Sequence, residues 1–315
     1  MEGRGRCGAS GKYLASLLLF GLNGIVASQI ALPSGQIVWL RTGLGSLLLM
    51  GALVLGRRWG FLRWRRELGA IALSGMALGV SWIFLYEAYQ RIGVSLASLL
   101  YYCGPVIVMA LSPVLFRERI TGRKAAGFAA VLLGVCLVNS QGGGGSDTRG
   151  LLYGALSAVM YAVMVICSKK TVHITGVENA ALQVTASFLT VTAFLVGSGE
   201  WPFAVISGDW PWILTLGLVN TALGCYLYFS SIQQLPVQTV AVCGYLEPLS
   251  AVGFSVVLLG EAMSPLRALG ALCILGGAGW SGGSSERRMS HLPILRGGAT
   301  EGVRGAALRF HRNKT

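Results

Sequence analysis

The second half of this chain repeats the first at an offset of 143 residues, and the alignment needs no gap. Tyr102 aligns with Tyr245, and Thr121 with Ser264. A proline, a glutamate and two glycines also recur in both halves: Pro105 and Pro248, Glu118 and Glu261, Gly127 and Gly270, Gly134 and Gly277. If each copy crosses a membrane an odd number of times, the two copies are inverted relative to each other.

The composition supports a membrane protein. Of the 315 residues, 54% are hydrophobic and only 12% are charged, whereas soluble domains average about 25% charged residues. Crossing about 30 Å of hydrocarbon takes roughly 20 apolar residues, and ten runs approach that length: 13–31, 36–55, 68–89, 94–116, 122–139, 150–169, 177–198, 210–232, 236–259 and 265–280. The sequence therefore predicts an all-α integral membrane protein with ten transmembrane helices, arranged as two inverted five-helix repeats.

The same runs predict the domain boundaries. Residues 1–12 form an N-terminal tail, 13–139 the first repeat, and 150–280 the second repeat. The glycine-rich segment 140–149 is predicted to be a flexible linker between them. Residues 281–315 are basic and poor in apolar side chains, which predicts a disordered tail that anionic lipid attracts.

The basic residues predict the orientation of the chain. With the N-terminus in the cytoplasm, the inner segments hold 21 Lys and Arg and the outer segments hold 3. Such an excess is the positive-inside signal of a multi-pass protein of the cytoplasmic (inner) membrane, with both termini in the cytoplasm. Because topology explains the net charge of +13, we expect the lipid bilayer as a partner and no nucleic acid.

No cofactor or metal site is expected. The seven cysteines are scattered without a CxxC pair, and the three histidines lie outside the predicted spans. An intramembrane protease of the rhomboid kind would need a histidine within a span. A phosphate-binding Walker A pattern is also absent. We therefore do not expect an enzyme.

The repeated motif combines a proline, a glutamate at the end of a span, and glycines seven residues apart. Thr121 and Ser264 are placed to cap the helices that follow, and Pro265 occupies a favoured first helical position. The glycine pairs allow close helix contact. The position of Glu118 and Glu261 at helix ends favours a structural role for them, and a role in gating is the alternative.

These residues resemble the EamA-type branch of the drug/metabolite transporter superfamily, over about residues 13–280. The resemblance implies ten helices in two inverted repeats and movement of small organic metabolites across the membrane. It does not identify the substrate.

Three ionisable residues inside the spans are the first candidates for function, because buried charges in a membrane usually face a cavity or each other. Glu247 lies near the middle of the ninth span, beside Pro248, which loosens the helix. It could exchange a proton or bind an amine. The alternative is a structural glutamate that is hydrogen-bonded to Asn220, Tyr226 or Tyr245.

Arg41 and Glu87 have weaker claims. Arg41 could bind a substrate carboxylate with its planar guanidinium group. The alternatives are that it reaches the outer interface or pairs with Glu87. Glu87 could instead pair with Arg91, four residues later on the same helix.

Aromatic and amide side chains at mid-span depth are predicted to complete a polar pocket for a small amphipathic solute. Each of them alone is more often a packing residue than a binding residue. They are Asn23, Trp39, Trp82, Tyr86, Tyr101, Tyr102, Tyr161, Gln183, Asn220 and Tyr226, together with Tyr245 beside Glu247.

We therefore predict a secondary transporter for an amino acid or related solute that works by alternating access, with export as the expected direction and proton coupling left open. Two alternatives remain, a non-transporting structural or sensor protein and a lipid scramblase or flippase. The oligomeric state, including a homodimer, is also open.

Overall fold

The computed structural model describes residues 2–57, 59–116, 121–139, 147–199, 207–259, 265–266, 268–273 and 276–277. Within these ranges the regular elements are helices, as the sequence predicts. The α-helices are α1 Glu2–Gly21, α2 Asn23–Ala27, α3 Ser34–Leu55, α4 Arg65–Tyr101, α5 Cys103–Phe116, α6 Gly122–Asn139, α7 Thr148–Lys169, α8 Gly176–Ser198, α9 Trp210–Leu214, α10 Gly224–Ser231, α11 Val237–Cys243 and α12 Leu246–Leu259. A π-helical segment, Thr215–Leu223, joins α9 to α10.

Six helices in the described ranges are long and apolar enough to cross a membrane: Gly8–Ala27, Ser34–Leu55, Arg65–Ile92, Thr148–Lys169, Gly176–Ser198 and Trp210–Gln234. They correspond to the first, second, third, sixth, seventh and eighth predicted spans. Two shorter apolar helices, Cys103–Phe116 and Ala125–Gly134, fall within the fourth and fifth. The total of ten transmembrane helices therefore stays a prediction.

One helix continues past a predicted span boundary. The apolar runs suggested a break between the third and fourth spans near residues 90–93, but α4 continues through it to Tyr101. At the aligned position of the second copy the chain does break, because Pro236 replaces Gly93 there. Proline removes a backbone donor and restricts the residue before it, so the helix ends before Pro236 and α11 begins after it.

Both copies break again at their shared proline. The first copy turns at Tyr102 before α5, and the second turns at Gly244 and Tyr245 before α12. Pro105 and Pro248 each occupy the third position of the new helix, where no intrahelical donor is required. The hydroxyl of Tyr245 donates to the carbonyl of Tyr102 at 2.8 Å, so these aligned tyrosines lie against each other.

The two copies of the second helix run in opposite directions. The Trp39 indole donates to the Thr192 hydroxyl at 2.9 Å, and seven residues later Ser46 contacts Thr185, seven residues earlier, also at 2.9 Å. Helices α3 and α8 align with each other in the sequence but run antiparallel. The second helix of one copy therefore points in the opposite direction to the second helix of the other copy.

Contacts between loops fall into two groups that alternate along the chain. One group joins the segment after α2 to the residue before α9, through the bond from the Ala31 amide to Asp209 at 3.0 Å. In the same group Arg91 contacts Asp147 at 3.3 Å. The backbone amide of Arg149, together with the Arg91 guanidinium, holds the pKa of Asp147 below its usual range.

The other group joins the segments that precede α4, precede α8 and follow α10. The Glu67 carboxylate accepts the backbone amides of Val172, His173 and Ile174 and contacts the His173 ring at 2.6 Å. The His173 ring stacks on Trp64, with centroids 3.6 Å apart. The membership of both groups follows the alternation that the apolar runs predict.

Glycines let α4 approach α8 closely. A Cβ atom at Gly75 would lie 2.4 Å from the Gln183 carbonyl oxygen and 2.7 Å from the Ala186 Cβ atom. One turn later, a Cβ atom at Gly79 would lie 2.9 Å from the Ser187 carbonyl oxygen. Small residues four apart are typical of tight helix packing in lipid, where dispersion contacts replace the hydrophobic effect.

We expect Gly75→Ala to lower the free energy of unfolding by about 1 to 3 kcal/mol, because the backbone of α8 must move to admit the methyl group. Gly69→Ala on the same helix is the matched control. A Cβ atom there meets nothing within 4 Å, so this variant should gain up to ~1 kcal/mol of helix propensity. Thermal denaturation in detergent measures both, and equal melting temperatures for the two variants would contradict the packing argument.

Candidate functional site

A cavity lies between the two copies. The first copy contributes Phe20, Asn23, Leu78, Trp82 and Tyr101, and the second contributes Tyr161, Met164, Cys225, Tyr228, Phe229 and Glu247. Six of these side chains are aromatic, while one is an acid and one is an amide. The cavity wall is therefore mostly apolar with a few polar groups, as the walls of small-molecule sites commonly are.

Aromatic rings pack edge to face around the cavity. The centroids of Tyr101 and Tyr161 are 5.3 Å apart, and those of Tyr228 and Phe229 are 5.2 Å apart. The hydroxyls of Tyr161 and Tyr228 lie 3.3 Å from each other. These contacts fix the ring positions, so the cavity wall is pre-formed.

Glu247 lies in the first turn of α12, directly after the break at Tyr245. No side chain within the described ranges hydrogen-bonds its carboxyl group. Asn220 and Tyr245, which were proposed as structural partners, donate to Leu19, Asn23 and Tyr102 instead. The broken helix thus presents a carboxyl to the cavity at a helix N-terminus, which favours negative charge.

The first copy has no equivalent acid for a steric reason. The residue aligned with Glu247 is Gly104. A Cβ atom at Gly104 would lie 2.6 Å from the Tyr161 ring and 3.1 Å from the Ala158 carbonyl oxygen. Because Tyr161 lines the cavity, a larger residue at this position would displace part of the wall.

Arg41 lies behind the cavity wall and is only 1% exposed. Its Nε atom donates to the Thr221 hydroxyl at 3.0 Å, and Nη1 donates to the Tyr86 hydroxyl at 2.9 Å. Nη2 donates to Asn23 Oδ1 at 3.4 Å, and the guanidinium carbon lies 4.3 Å from the centre of the Trp82 ring. All these partners are neutral.

These contacts exclude both structural alternatives that were considered for Arg41. The side chain is too buried to reach the outer interface. Glu87 instead accepts from Ser34 at 2.9 Å and contacts Arg91 at 3.9 Å. The ion pairs of the described residues do not include one between Arg41 and Glu247. Their charged atoms therefore lie more than 4.0 Å apart, and the two groups interact through the electrostatic field.

The π-helical segment positions the residues that hold Arg41. Thr221 donates to the Leu216 carbonyl, five residues earlier, and accepts from Arg41. Asn220 donates to the Leu19 carbonyl, where α1 ends, and to Asn23, where α2 begins, both at 3.0 Å. Segments of π-helix often occur at functional sites because they shift side chains out of the regular helical positions.

Several candidate residues lie away from the cavity. Gln183 is fully buried and bonds to Ser74, Ser168 and Asn179. Trp39 packs between α3 and α8 as described above. Glu87, Tyr86, Tyr102, Tyr226, Tyr245 and Asn220 also do not line the cavity. Of the ionisable candidates, the structure places only Glu247 on the wall, beside Asn23, Trp82, Tyr101 and Tyr161.

The glycines of the repeated motif are buried in both copies, namely Gly127, Gly134, Gly270 and Gly277. Helix α6 begins at Gly122, directly after Thr121, whose carbonyl accepts the Ala125 amide at 3.0 Å. Glu118 and Glu261 lie outside the described residues, so their architectural or gating role stays a prediction.

Sequence reasoning missed Thr221, Tyr228 and the apolar cavity residues Phe20, Leu78, Met164, Cys225 and Phe229. A threonine or phenylalanine in an apolar run has no distinctive signal. Tyr228 could have been found, because it is an aromatic residue at mid-span depth like the tyrosines that were chosen as candidates.

Residues 12–140 and residues 148–282 each match the EamA-like transporter family. The chain belongs to the EamA-like transporter family. The resemblance to the drug/metabolite transporter superfamily, drawn from the repeated motif, is thereby confirmed. The family name and those of the relatives below indicate transporters rather than enzymes.

Similar proteins include the uncharacterized transporter YxxF of Bacillus subtilis, which is 23% identical over 84% of this chain and 86% of its own length. Protein RarD of Streptomyces exfoliatus is 27% identical over 75% of this chain and 76% of its own. A probable terminal-alkyne amino-acid exporter of Streptantibioticus cattleyicolor is 29% identical over 65% of this chain and 70% of its own.

The fold also has a counterpart among solved structures. One crystal structure, 20% identical in sequence, superimposes with a TM-score of 0.75 over 88% of this chain and 98% of its own chain. At this level of identity the likeness concerns the fold alone.

Proposed function

We propose that this protein is a secondary transporter that moves an amino acid or related small metabolite across the cytoplasmic membrane by alternating access. The observation that carries the proposal is the cavity between the two copies, with the Glu247 carboxyl on its wall and no side chain of the described residues hydrogen-bonded to it. Solute sites of repeat-built transporters typically lie at the repeat interface, beside broken helices. Here α1 and α2, α4 and α5, and α11 and α12 are all separated by breaks.

We propose export as the direction and a proton, carried by Glu247, as the coupling ion. A carboxyl that faces a cavity of low polarity can release its proton when a cationic group of the solute arrives, and regain it when the solute leaves. Intramembrane acids commonly form proton relays in transporters. The amino-acid class is supported by the name of the Streptantibioticus relative.

The proposal includes inverted repeats, 13–139 and 150–280, with both termini in the cytoplasm. The opposite directions of α3 and α8 support inversion, and the excess of inner Lys and Arg supports the orientation. A test uses single cysteines at Lys124 and Arg149 in a cysteine-free protein. An impermeant maleimide should label position 149 from outside intact cells and position 124 only after lysis, whereas labelling of both from one side would overturn the topology.

A flux assay in proteoliposomes tests the transport function itself. Purified protein should accelerate the uptake of at least one labelled solute from a metabolite library, compared with protein-free vesicles. Equal rates across the library would instead support the structural or sensor alternative. Acceleration of a labelled lipid across the same vesicles, without solute flux, would identify a scramblase.

A further inference from the structure

We propose that Asn23 is the residue that binds the solute's carboxylate, and that Arg41 acts through Asn23 without contacting the solute. This inference rests on the proposed function and specifies the chemistry of the same cavity. Glu247 then receives the ammonium group, and the aromatic wall receives the apolar side chain of the solute.

The hydrogen bonds around Asn23 determine the orientation of its amide. Arginine can only donate, so the Asn23 atom that meets Arg41 Nη2 must be the oxygen. The Leu19 carbonyl can only accept, so the Asn220 atom beside it is the nitrogen, and the same nitrogen donates to Asn23 Oδ1 at 3.0 Å. Both neighbours therefore assign Oδ1 of Asn23 to the side away from the cavity.

This orientation leaves the Asn23 nitrogen free. Its two N–H groups have no hydrogen-bond partner within the described ranges, while Asn23 lines the cavity. A donor pair on this wall calls for an acceptor on the solute. Glu247 offers the complementary group, since its carboxyl can only accept when ionised.

The charge behind Asn23 selects a carboxylate over a neutral acceptor. Arg41 is buried among neutral partners and has no carboxylate within 4.0 Å in the described part of the chain. Glu247 interacts with this guanidinium only from beyond 4.0 Å, and a buried guanidinium is costly without an opposite charge in closer contact. A solute carboxylate bound to the Asn23 nitrogen would supply that charge, with the Asn23 side chain between it and the guanidinium.

Three probes separate the groups of the solute: L-phenylalanine, 2-phenylethylamine without the carboxylate, and 3-phenylpropionate without the amine. Calorimetric titration of the purified wild-type protein gives the affinity for each. We expect Asn23→Leu to weaken phenylalanine and phenylpropionate at least tenfold and phenylethylamine less than threefold. The control is Gln29→Leu, which replaces an exposed amide outside the cavity.

Asn23→Asp provides a second variant of nearly the same size that can pair with Arg41. It replaces the donors by acceptors, so phenylpropionate should weaken further while phenylethylamine binds at least as tightly as to the wild type. An equal loss for all three probes would assign Asn23 a structural role and overturn the inference. Wild-type protein that transports another solute but binds no phenylalanine would overturn it too, and leave the transport function standing.

Discussion

Replacing Glu247 by glutamine is expected to reduce solute accumulation in proteoliposomes at least tenfold and to abolish its dependence on pH. Glutamine has nearly the same size but cannot ionise, so it can neither carry a proton nor attract an ammonium group. A hydrogen bond to a charged group contributes about 1.5 to 3 kcal/mol, which corresponds to ~10- to 100-fold in affinity. Because the carboxyl has no side-chain partner in the described residues, the variant should keep its fold.

Two measurements separate coupling from binding in this variant. Net flux driven by a pH gradient requires proton exchange, whereas counterflow of labelled against unlabelled solute does not. A variant that retains counterflow and loses gradient-driven flux would assign Glu247 to coupling. Loss of both would assign it to solute binding as well.

Glu87→Gln is the matched control, since Glu87 is a half-buried acid in the same protein that bonds to Ser34 and Arg91 outside the cavity. This variant should keep the wild-type pH profile. If Glu247→Gln kept both the wild-type rate and the wild-type pH profile, the proton role would be wrong.

The lengths of the apolar runs and the alignment of the two halves made the helical class and the twofold repetition predictable from the sequence. Helices α3, α7 and α8 begin within two residues of the predicted spans and end at the predicted residues. Apolar runs are long in these helices and polar residues bound them sharply. The third span ends at Ile92, close to the predicted residue 89, although helix α4 continues to Tyr101 because a short polar stretch without proline does not interrupt a helix.

The site was only partly predictable, because a charge in a span shows that a residue matters but does not show which way it faces. Glu247 and Asn23 were found as candidates and do line the cavity. Gln183 was chosen as an amide side chain at mid-span depth, yet it belongs to a separate buried network with Ser74 and Asn179. The π-helical register that turns Thr221 toward Arg41 depends on packing and is not visible as a sequence pattern.

Arg41 allows a second prediction, which distinguishes its electric field from direct contact with the solute. At a charge separation of about 7 Å and an effective dielectric constant of about 20, a carboxylate in the cavity gains about 2 kcal/mol from the guanidinium. Arg41→Gln should therefore weaken phenylalanine binding ~30-fold. Phenylethylamine should bind at least as tightly, because the repulsive charge is gone.

Arg41→Lys is the decisive variant. It keeps the positive charge but cannot reproduce the planar set of donors that a direct bidentate contact with a carboxylate requires. If Arg41 acts from behind Asn23, lysine should retain phenylalanine affinity within about fivefold of the wild type, because Asn220 still holds the Asn23 amide at 3.0 Å. A loss with lysine as large as that with glutamine would show that the guanidinium itself binds the solute, since the field alone does not distinguish the two cations.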